Sequence, residues 1–335
     1  MKKKIVILGA GSMGIAIAML LHKNGHDTIL WSPFAEEAAL LNEVHECPQR
    51  LPGVVLPEEI ECTTDLAVAL QDCETAVLAV PAQKVRETCV RIREVYTKAN
   101  AKADLLLFIC AKGIEESTCK LMNEVVCEEL PDGKIAVLTG PSYAIEIAKG
   151  FPTALVCASE DDSIAVMGQE IFMNSNMRVY TNSDVIGAEV GGAIKNVIAF
   201  CVGICDGLGY ENNTRAALIT RGLAEITRLG LAMGAKQNTL AGLAGVGDLL
   251  LTCTGEYSRN RRAGILVGKG YTIKEAITEV DMVVEGVTTA KPAYQLAQKY
   301  GVDMPILQEA NEIIFYNKKP EDVIKALMGR DKKSE

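Results

Sequence analysis

Gly9, Gly11 and Gly14 stand in G-x-G-x-x-G spacing directly after the apolar run Ile5-Val-Ile-Leu8. An uncharged, helix-competent stretch follows, up to Leu21. Between a strand and a helix, Gly9 allows the tight turn, Gly11 lets a pyrophosphate approach the backbone, and Gly14 lets the helix pack on the strand. The helix start then offers free N–H groups and a partial positive charge to phosphates. A dinucleotide held this way implies hydride transfer. Moving hydride to or from a carbon that bears oxygen needs a group that exchanges the oxygen's proton. Histidine is scarce: His22, His26 and His45 all lie early in the chain. In the second half, lysine or a carboxylate has to do that work.

Lys195 is the leading candidate, in Val190-Gly-Gly-Ala-Ile-Lys195-Asn196-Val-Ile-Ala-Phe200, a helix-like stretch almost without charge. It fits either a catalytic acid/base or a lysine whose stem snorkels to solvent. Gly191 and Gly192 are costly inside a helix, which favours close approach of something to it. Lys112 follows the apolar run Leu105–Cys110, at the carboxyl end of an expected strand, where open α/β folds bind ligands. The alternative is an ordinary loop lysine. Gly140-Pro141-Ser142 follows another expected strand, with a helix beginning at Ser142. It fits an anion site made of backbone N–H groups, or a simple N-cap. Asp248 and Thr252 are spaced i,i+4 and share a helix face. Asp248 could orient Lys195, or could complement a helix dipole. Ser258-Arg259-Asn260 is a compact donor set at a helix start, and arginine's planar fork suits phosphate.

These groups need a frame. Short apolar runs at Ile5–Leu8, Thr28–Trp31, Ala76–Val80, Leu105–Cys110, Ile135–Thr139, Thr153–Cys157 and Met177–Thr181 read as buried parallel strands. Val85–Tyr96 and Thr118–Leu130 fit crossover helices. Beyond Asp184 the pattern is helical: Val185–Cys205, Thr214–Met233, Ser258–Gly268, Val287–Tyr300 and Pro305–Phe315. The fold class is α/β, with a dinucleotide-binding domain over 1–184 and a helical substrate and catalytic domain over 185–330. A cleft is expected where they meet. The lysine-rich tail after Gly329 is expected to fray.

With 335 residues, 49% of them hydrophobic, the chain can build two cores. A net charge of -9 argues against nucleic acid or an anionic membrane as the main partner. Lys2, Lys3 and Lys4 before an uncharged stretch resemble a secretory signal, but glycines interrupt the apolar core and no A-x-A-like site follows cleanly. Eleven cysteines, an odd number without a C-x-x-C pair, read as reduced cytoplasmic thiols rather than a disulfide or metal framework.

The order of longer motifs is more specific. GAGSMG at Gly9–Gly14 is followed by AKGIE at Ala111–Glu115, TGPSYA at Thr139–Ala144 and GGAIKNVIA at Gly191–Ala199. Next come DGLGYENNTRAALITRGLAEI at Asp206–Ile226, GVGDLLLTC at Gly245–Cys253, YSRNRRAG at Tyr257–Gly264 and VVEGVTT at Val283–Thr289. Over nearly its full length the chain resembles the soluble, bacterial-type NAD(P)-dependent glycerol-3-phosphate dehydrogenases. The resemblance implies a Rossmann-like domain followed by an all-helical domain of the 6-phosphogluconate dehydrogenase C-terminal type, in a homodimer. It implies interconversion of sn-glycerol 3-phosphate and dihydroxyacetone phosphate, supplying phospholipid synthesis. Lys195 matches the family's proton acceptor. Lys112, Gly140, Ser142, Asp248, Ser258, Arg259 and Asn260 match its substrate contacts. Ser12, Met13, Lys112, Ala144, Arg259, Val283 and Glu285 match positions against the cofactor.

Two departures bear on the choice between NAD and NADP. Met13 stands where relatives commonly carry Trp or Tyr, and Pro33-Phe34 stands where many carry a histidine or arginine for the 2′-phosphate. Glu36 and Glu37 come slightly late for an NAD-type ribose contact. The expectation leans to NADH; NADPH use would need a cation from elsewhere, such as Lys23 or Arg50. The rival readings are a related hydroxy-acid or sugar-acid dehydrogenase, and a catalytically silent dinucleotide sensor.

Overall fold

The computed structural model describes residues 2–99 and 103–332. The end of the lysine-rich tail, 333–335, lies outside the described residues. The chain divides into two compact units. The first runs to Lys112 and resumes over Lys120–Glu189; the second takes Gly113–Cys119 and the chain from Val190 onward. The 113–119 segment, which the linear reading places in the first domain, thus groups with the second.

The first unit is a sheet of eight strands among the described residues: β1 Lys4–Leu8, β2 Asp27–Trp31, β3 Glu61–Thr63, β4 Thr75–Leu78, β5 Leu106–Ile109, β6 Lys134–Thr139, β7 Thr153–Ala158 and β8 Met177–Asn182. Their order is β3-β2-β1-β4-β5-β6-β7-β8. The chain steps outward from β1 to β3, then restarts at β4 on the other side. The crevice between β1 and β4 is therefore the switch point at which such sheets bind ligands. The helix Ser12–Lys23, uncharged until its last turn, buries Ile15, Ala16, Ile17, Ala18 and Leu21.

Two expectations need correcting, and one strand has no counterpart in the apolar runs. β7 is antiparallel to β6, pairing Cys157 with Leu138, not parallel. The only helix between them, Ala144–Ala148, has five residues. At about 1.5 Å rise per residue it spans far less than a six-residue strand, so it cannot return the chain to the strand's starting edge. Next, the helix expected over Thr118–Leu130 is Met122–Glu129, because Cys119 has φ +58 and the chain turns there. Finally, β3 carries a single fully buried residue, Cys62, too short a signal for any periodicity.

The second unit is helical, with no strand among its described residues. The long helix Val185–Gly207, which belongs to this unit from Val190 onward, is buried at every residue from Gly187 to Cys205. By length and apolarity it could cross a membrane; as a core helix, its apolarity is accounted for by burial. It packs backbone to backbone on the helix Arg259–Gly268. A Cβ on Gly203 or Gly207 would lie 2.1 or 2.3 Å from the carbonyls of Arg261 or Ile265. One on Gly264 or Gly268 would lie equally close to those of Phe200 or Ile204. Gly191 also meets what its sequence context implied: a Cβ there would sit 2.5 Å from the carbonyl of Ala244. Ala244 lies in the π-turn Leu243–Gly247, which leads directly into the helix Asp248–Thr254. The missing side chain thus lets the Asp248 segment close on the Lys195 helix.

Candidate active site

In the first unit, the glycine turn leaves β1 at the switch point. Gly9 adopts φ +113, and a Cβ on it would meet the Ala79 backbone, just past β4, at 3.0 Å. A Cβ on Gly14 would lie 1.8 Å from the Gly9 carbonyl oxygen, so helix and strand could not pack as they do. Gly11 faces open space, with nothing within 4 Å of such an atom. Two glycines are forced by packing and the third keeps a cradle clear. That combination fits a dinucleotide pyrophosphate at the helix start. Ser12 opens the helix and donates its hydroxyl to the Arg50 carbonyl at 2.7 Å, while Met13 and Ala144 pack on the core.

Beside this turn, β2 ends in a small polar cluster. Ser32 donates from Oγ to Glu37 Oε2 at 2.5 Å, and Arg50 Nε lies 3.7 Å from Glu37 Oε1. Glu37, slightly late by residue count, is carried back to the strand end by the first turn of the helix Ala35–Val44. Phe34 is 64% exposed. An acid, Glu37, and a cation, Arg50, therefore both stand at the end of β2, while Pro33 and Phe34 bring no charge there.

Three candidates from distant segments converge further along the same sheet edge. Lys112, after β5, donates from Nζ to the Gly140 carbonyl, after β6, at 3.0 Å. Ser142 Oγ donates to that same oxygen at 3.0 Å. Of the two readings of Ser142, the N-cap does not hold. The helix starts at Ala144, after Tyr143, and the serine hydroxyl is turned back to Gly140. Two concavities of this unit, about 510 and 230 Å³, sit around Lys23 at the opposite, amino edge of the sheet, so of the two cations considered for a 2′-phosphate Arg50 stands at the end of β2 and Lys23 does not.

The second unit holds the proton-transfer candidates. Lys195 is 6% exposed, so its stem does not snorkel. Its Nζ donates to Asp248 Oδ1 at 2.7 Å and to Thr252 Oγ1 at 2.8 Å. The Thr252 hydroxyl proton points to the Asp248 carbonyl at 2.6 Å, leaving its oxygen to accept from the ammonium. Withdrawing an ammonium this far from water is tolerable only with a close counter-charge and satisfied donors. Asp248 supplies the charge, and Thr252 accepts a second N–H. Thr252 is legible beforehand only as the i,i+4 partner of Asp248.

Ser258 accepts the Arg261 N–H at 3.2 Å and caps the helix that begins with Arg259. Arg259 is half-buried in that first turn. The Asn260 carboxamide is engaged at both ends: Oδ1 accepts from the Gly286 N–H at 2.8 Å, and Nδ2 donates to Asn196 Oδ1 at 2.9 Å. Glu285 is the first residue of the helix Glu285–Lys299, and Val283 lies exposed just before it.

Known proteins match this chain over nearly its whole length. Residues 4–165 match the family described as NAD-dependent glycerol-3-phosphate dehydrogenase N-terminus, and 184–325 match its C-terminus. A protein of Lysinibacillus sphaericus named glycerol-3-phosphate dehydrogenase (NAD(P)+) is 48% identical, covering 99% of this chain and 98% of its own. One of Fusobacterium nucleatum with the same name is 46% identical at the same coverage. The crystal structure of glycerol-3-phosphate dehydrogenase from Coxiella burnetii superposes with TM-score 0.93 at 36% identity, covering 98% of this chain and 99% of that one.

Proposed function

The chain belongs to the NAD-dependent glycerol-3-phosphate dehydrogenase family, and on that premise we propose how its residues divide the interconversion of sn-glycerol 3-phosphate and dihydroxyacetone phosphate. Residues 1–184 form the dinucleotide-binding domain and 185–330 the substrate and catalytic domain. NAD(P)H, when bound, would supply the hydride for C2, and its oxidised form would accept that hydride in the reverse direction. Lys195 gives a proton to the C2 oxygen on reduction and removes it on oxidation. Asp248 and Thr252 aim its Nζ. Lys112, held over Gly140 beside Ser142, places positive charge by the developing alkoxide. Arg259 grips the phosphate with its planar fork; Ser258 fixes the helix start, and Asn260 offers its remaining amide hydrogen. Gly9, Gly11, Gly14, Ser12, Met13, Ala144, Val283 and Glu285 take the cofactor, with Lys112 and Arg259 adding charge.

The observation that carries this reading is the buried ammonium of Lys195, held at 2.7 Å by Asp248 and 2.8 Å by Thr252. NADH serves at least as well as NADPH, since Pro33 and Phe34 bring no charge and Glu37 stands at the end of β2. The enzyme works as a cytoplasmic homodimer and supplies glycerol 3-phosphate for phospholipid synthesis; eleven free thiols and a charge of -9 accord with that setting. The test is oxidation of NADH and NADPH, side by side, with dihydroxyacetone phosphate and with a panel of 2-keto acids. Turnover on dihydroxyacetone phosphate alone supports the reading. Faster turnover on a keto acid overturns it in favour of a hydroxy-acid dehydrogenase, and no turnover on any substrate in favour of a silent sensor.

A further inference from the structure

The geometry points to Asn196 as a positioning residue. Through the carboxamide of Asn260, it locks together the three helices that carry Lys195, Arg259 and Glu285. The inference rests on the roles proposed above for those three side chains.

Asn196 and Asn260 are 5% and 8% exposed. The direction of their hydrogen bonds is dictated from one end. The Gly286 N–H needs an acceptor, so Asn260 must turn Oδ1 toward it, at 2.8 Å. Its NH₂ then faces Asn196, which must present Oδ1, at 2.9 Å. That leaves the Asn196 Nδ2 to donate to Gly192 in its own helix at 3.3 Å. A single backbone donor thus orients both amides. It is also one of the first-turn N–H groups that a helix cannot satisfy internally. Asn260 caps the helix Glu285–Lys299 from outside it.

The spacing is tight as well as directional. A Cβ on Gly286 would lie 2.5 Å from the Asn196 carbonyl and 3.1 Å from Asn260 Oδ1. Each linked residue is the immediate chain neighbour of a functional one: Asn196 follows Lys195, Asn260 follows Arg259, and Gly286 follows Glu285. Successive helix residues point about 100° apart. The link can therefore fix three backbones while the neighbouring side chains face other partners. Apolar packing could hold the helices together, but it would not set their register as a directional buried network does.

The test compares wild type, Asn196→Ala, Asn260→Ala and the double variant, with Glu285→Ala as reference. NADH dissociation constants are measured without substrate, and kcat/KM is measured for dihydroxyacetone phosphate. Coupling across such a network predicts that Asn196→Ala weakens NADH about 3- to 10-fold and lowers kcat/KM about 10- to 100-fold. The double variant should lie within about threefold of the worse single one. A residue that only touched substrate would leave NADH affinity alone. Unchanged NADH affinity in Asn196→Ala, where Glu285→Ala weakens it, overturns the inference and leaves the proposed function standing. If Glu285→Ala has no effect on NADH, the role of Glu285 fails instead. The double variant then decides for Asn196, and multiplicative losses would reject it. Should Asn196→Ala not fold, Asn196→Asp keeps the oxygen to which Asn260 donates. It should keep NADH affinity within about threefold, and a tenfold loss would reject the link.

Discussion

In the first unit the candidate groups stand at the carboxyl ends of β1, β5 and β6, and backbone does much of the work: an open glycine turn, and a Gly140 carbonyl that gathers Lys112 and Ser142. In the second unit the candidate groups are side chains sunk among helices. Lys195 meets a carboxylate 53 positions away, and Asn196 an amide 64 positions away. A strand-end site can stay half-buried and tolerate change, since the sheet beneath it does not depend on its side chains. A site inside a helical core binds its chemistry to its stability. The same mutation type should therefore have different consequences in the two units.

The widest contrast is between Asp248 and Lys112. Asp248→Ala leaves the Lys195 ammonium buried without its counter-charge, which should cost about 3–5 kcal/mol of stability as well as activity. Lys112→Ala, at a half-exposed strand end, should stay within about 1 kcal/mol of wild type while still losing turnover. Chemical denaturation of both variants reads this directly, and equal losses would dissolve the distinction.

Arg259→Ala is next in size. A charge-assisted contact to phosphate is worth about 1.5–3 kcal/mol, so kcat/KM for dihydroxyacetone phosphate should fall roughly 10- to 150-fold. Unphosphorylated dihydroxyacetone should be a poor substrate for both enzymes, and the variant should lose far less on it. Parallel losses on the two would mean that Arg259 does not read the phosphate.

These two units were not equally legible in the sequence. The glycine spacing and the alternation of apolar runs located β1, β2, β4, β5, β6 and β8, because a strand and its turn are local in sequence. The direction of β7 was not visible, being set by the short reach of the helix Ala144–Ala148. In the helical unit, the apolar stretches give five helices to within about two residues, but not the shorter helices Ile273–Val280 and Pro320–Met328. Lys195 stood out by its isolation in uncharged sequence. Its partnership with Asp248 was one of two open options, because nothing local ties residues on different helices. The glycine pair Gly191 and Gly192 pointed to a close approach, which Gly191 makes to Ala244. The Ser32–Glu37–Arg50 cluster was missed as a unit, since chain position hides that a helix turn folds Glu37 back.

That cluster gives a smaller, first-unit prediction. Phe34→Arg adds a cation by the expected adenosine ribose and should raise kcat/KM for NADPH several-fold more than for NADH, with each 1.4 kcal/mol of contact worth tenfold. A wild-type preference for NADPH of tenfold or more would contradict the NADH reading and turn attention to Arg50.

The smallest effect concerns two buried carboxyls, one in each unit. Glu189 accepts the Asn123 N–H at 3.0 Å, and burial pushes its carboxyl up to about 8; its Oε2 is buried with no hydrogen-bond partner. Glu225 accepts from Ile306 and Leu307, and burial lifts it to about 7. In both, the native state holds a proton at a pH where the unfolded chain, near 4.5, has released it. Stability is therefore fullest below about pH 4.5 on this account and falls as pH rises through 7 and 8. Melting temperatures of Glu189→Gln should show a flatter decline over that window than wild type. An unchanged slope would mean that Glu189 stays ionised when folded.

The assignment of proton exchange to Lys195 is tested most directly by Lys195→Ala, with turnover and NADH affinity measured on the same preparation. General acid–base loss predicts kcat reduced by roughly 10²–10⁴-fold with the NADH dissociation constant nearly unchanged. Near-normal turnover in the folded variant would contradict it and reduce Lys195 to a buried structural cation.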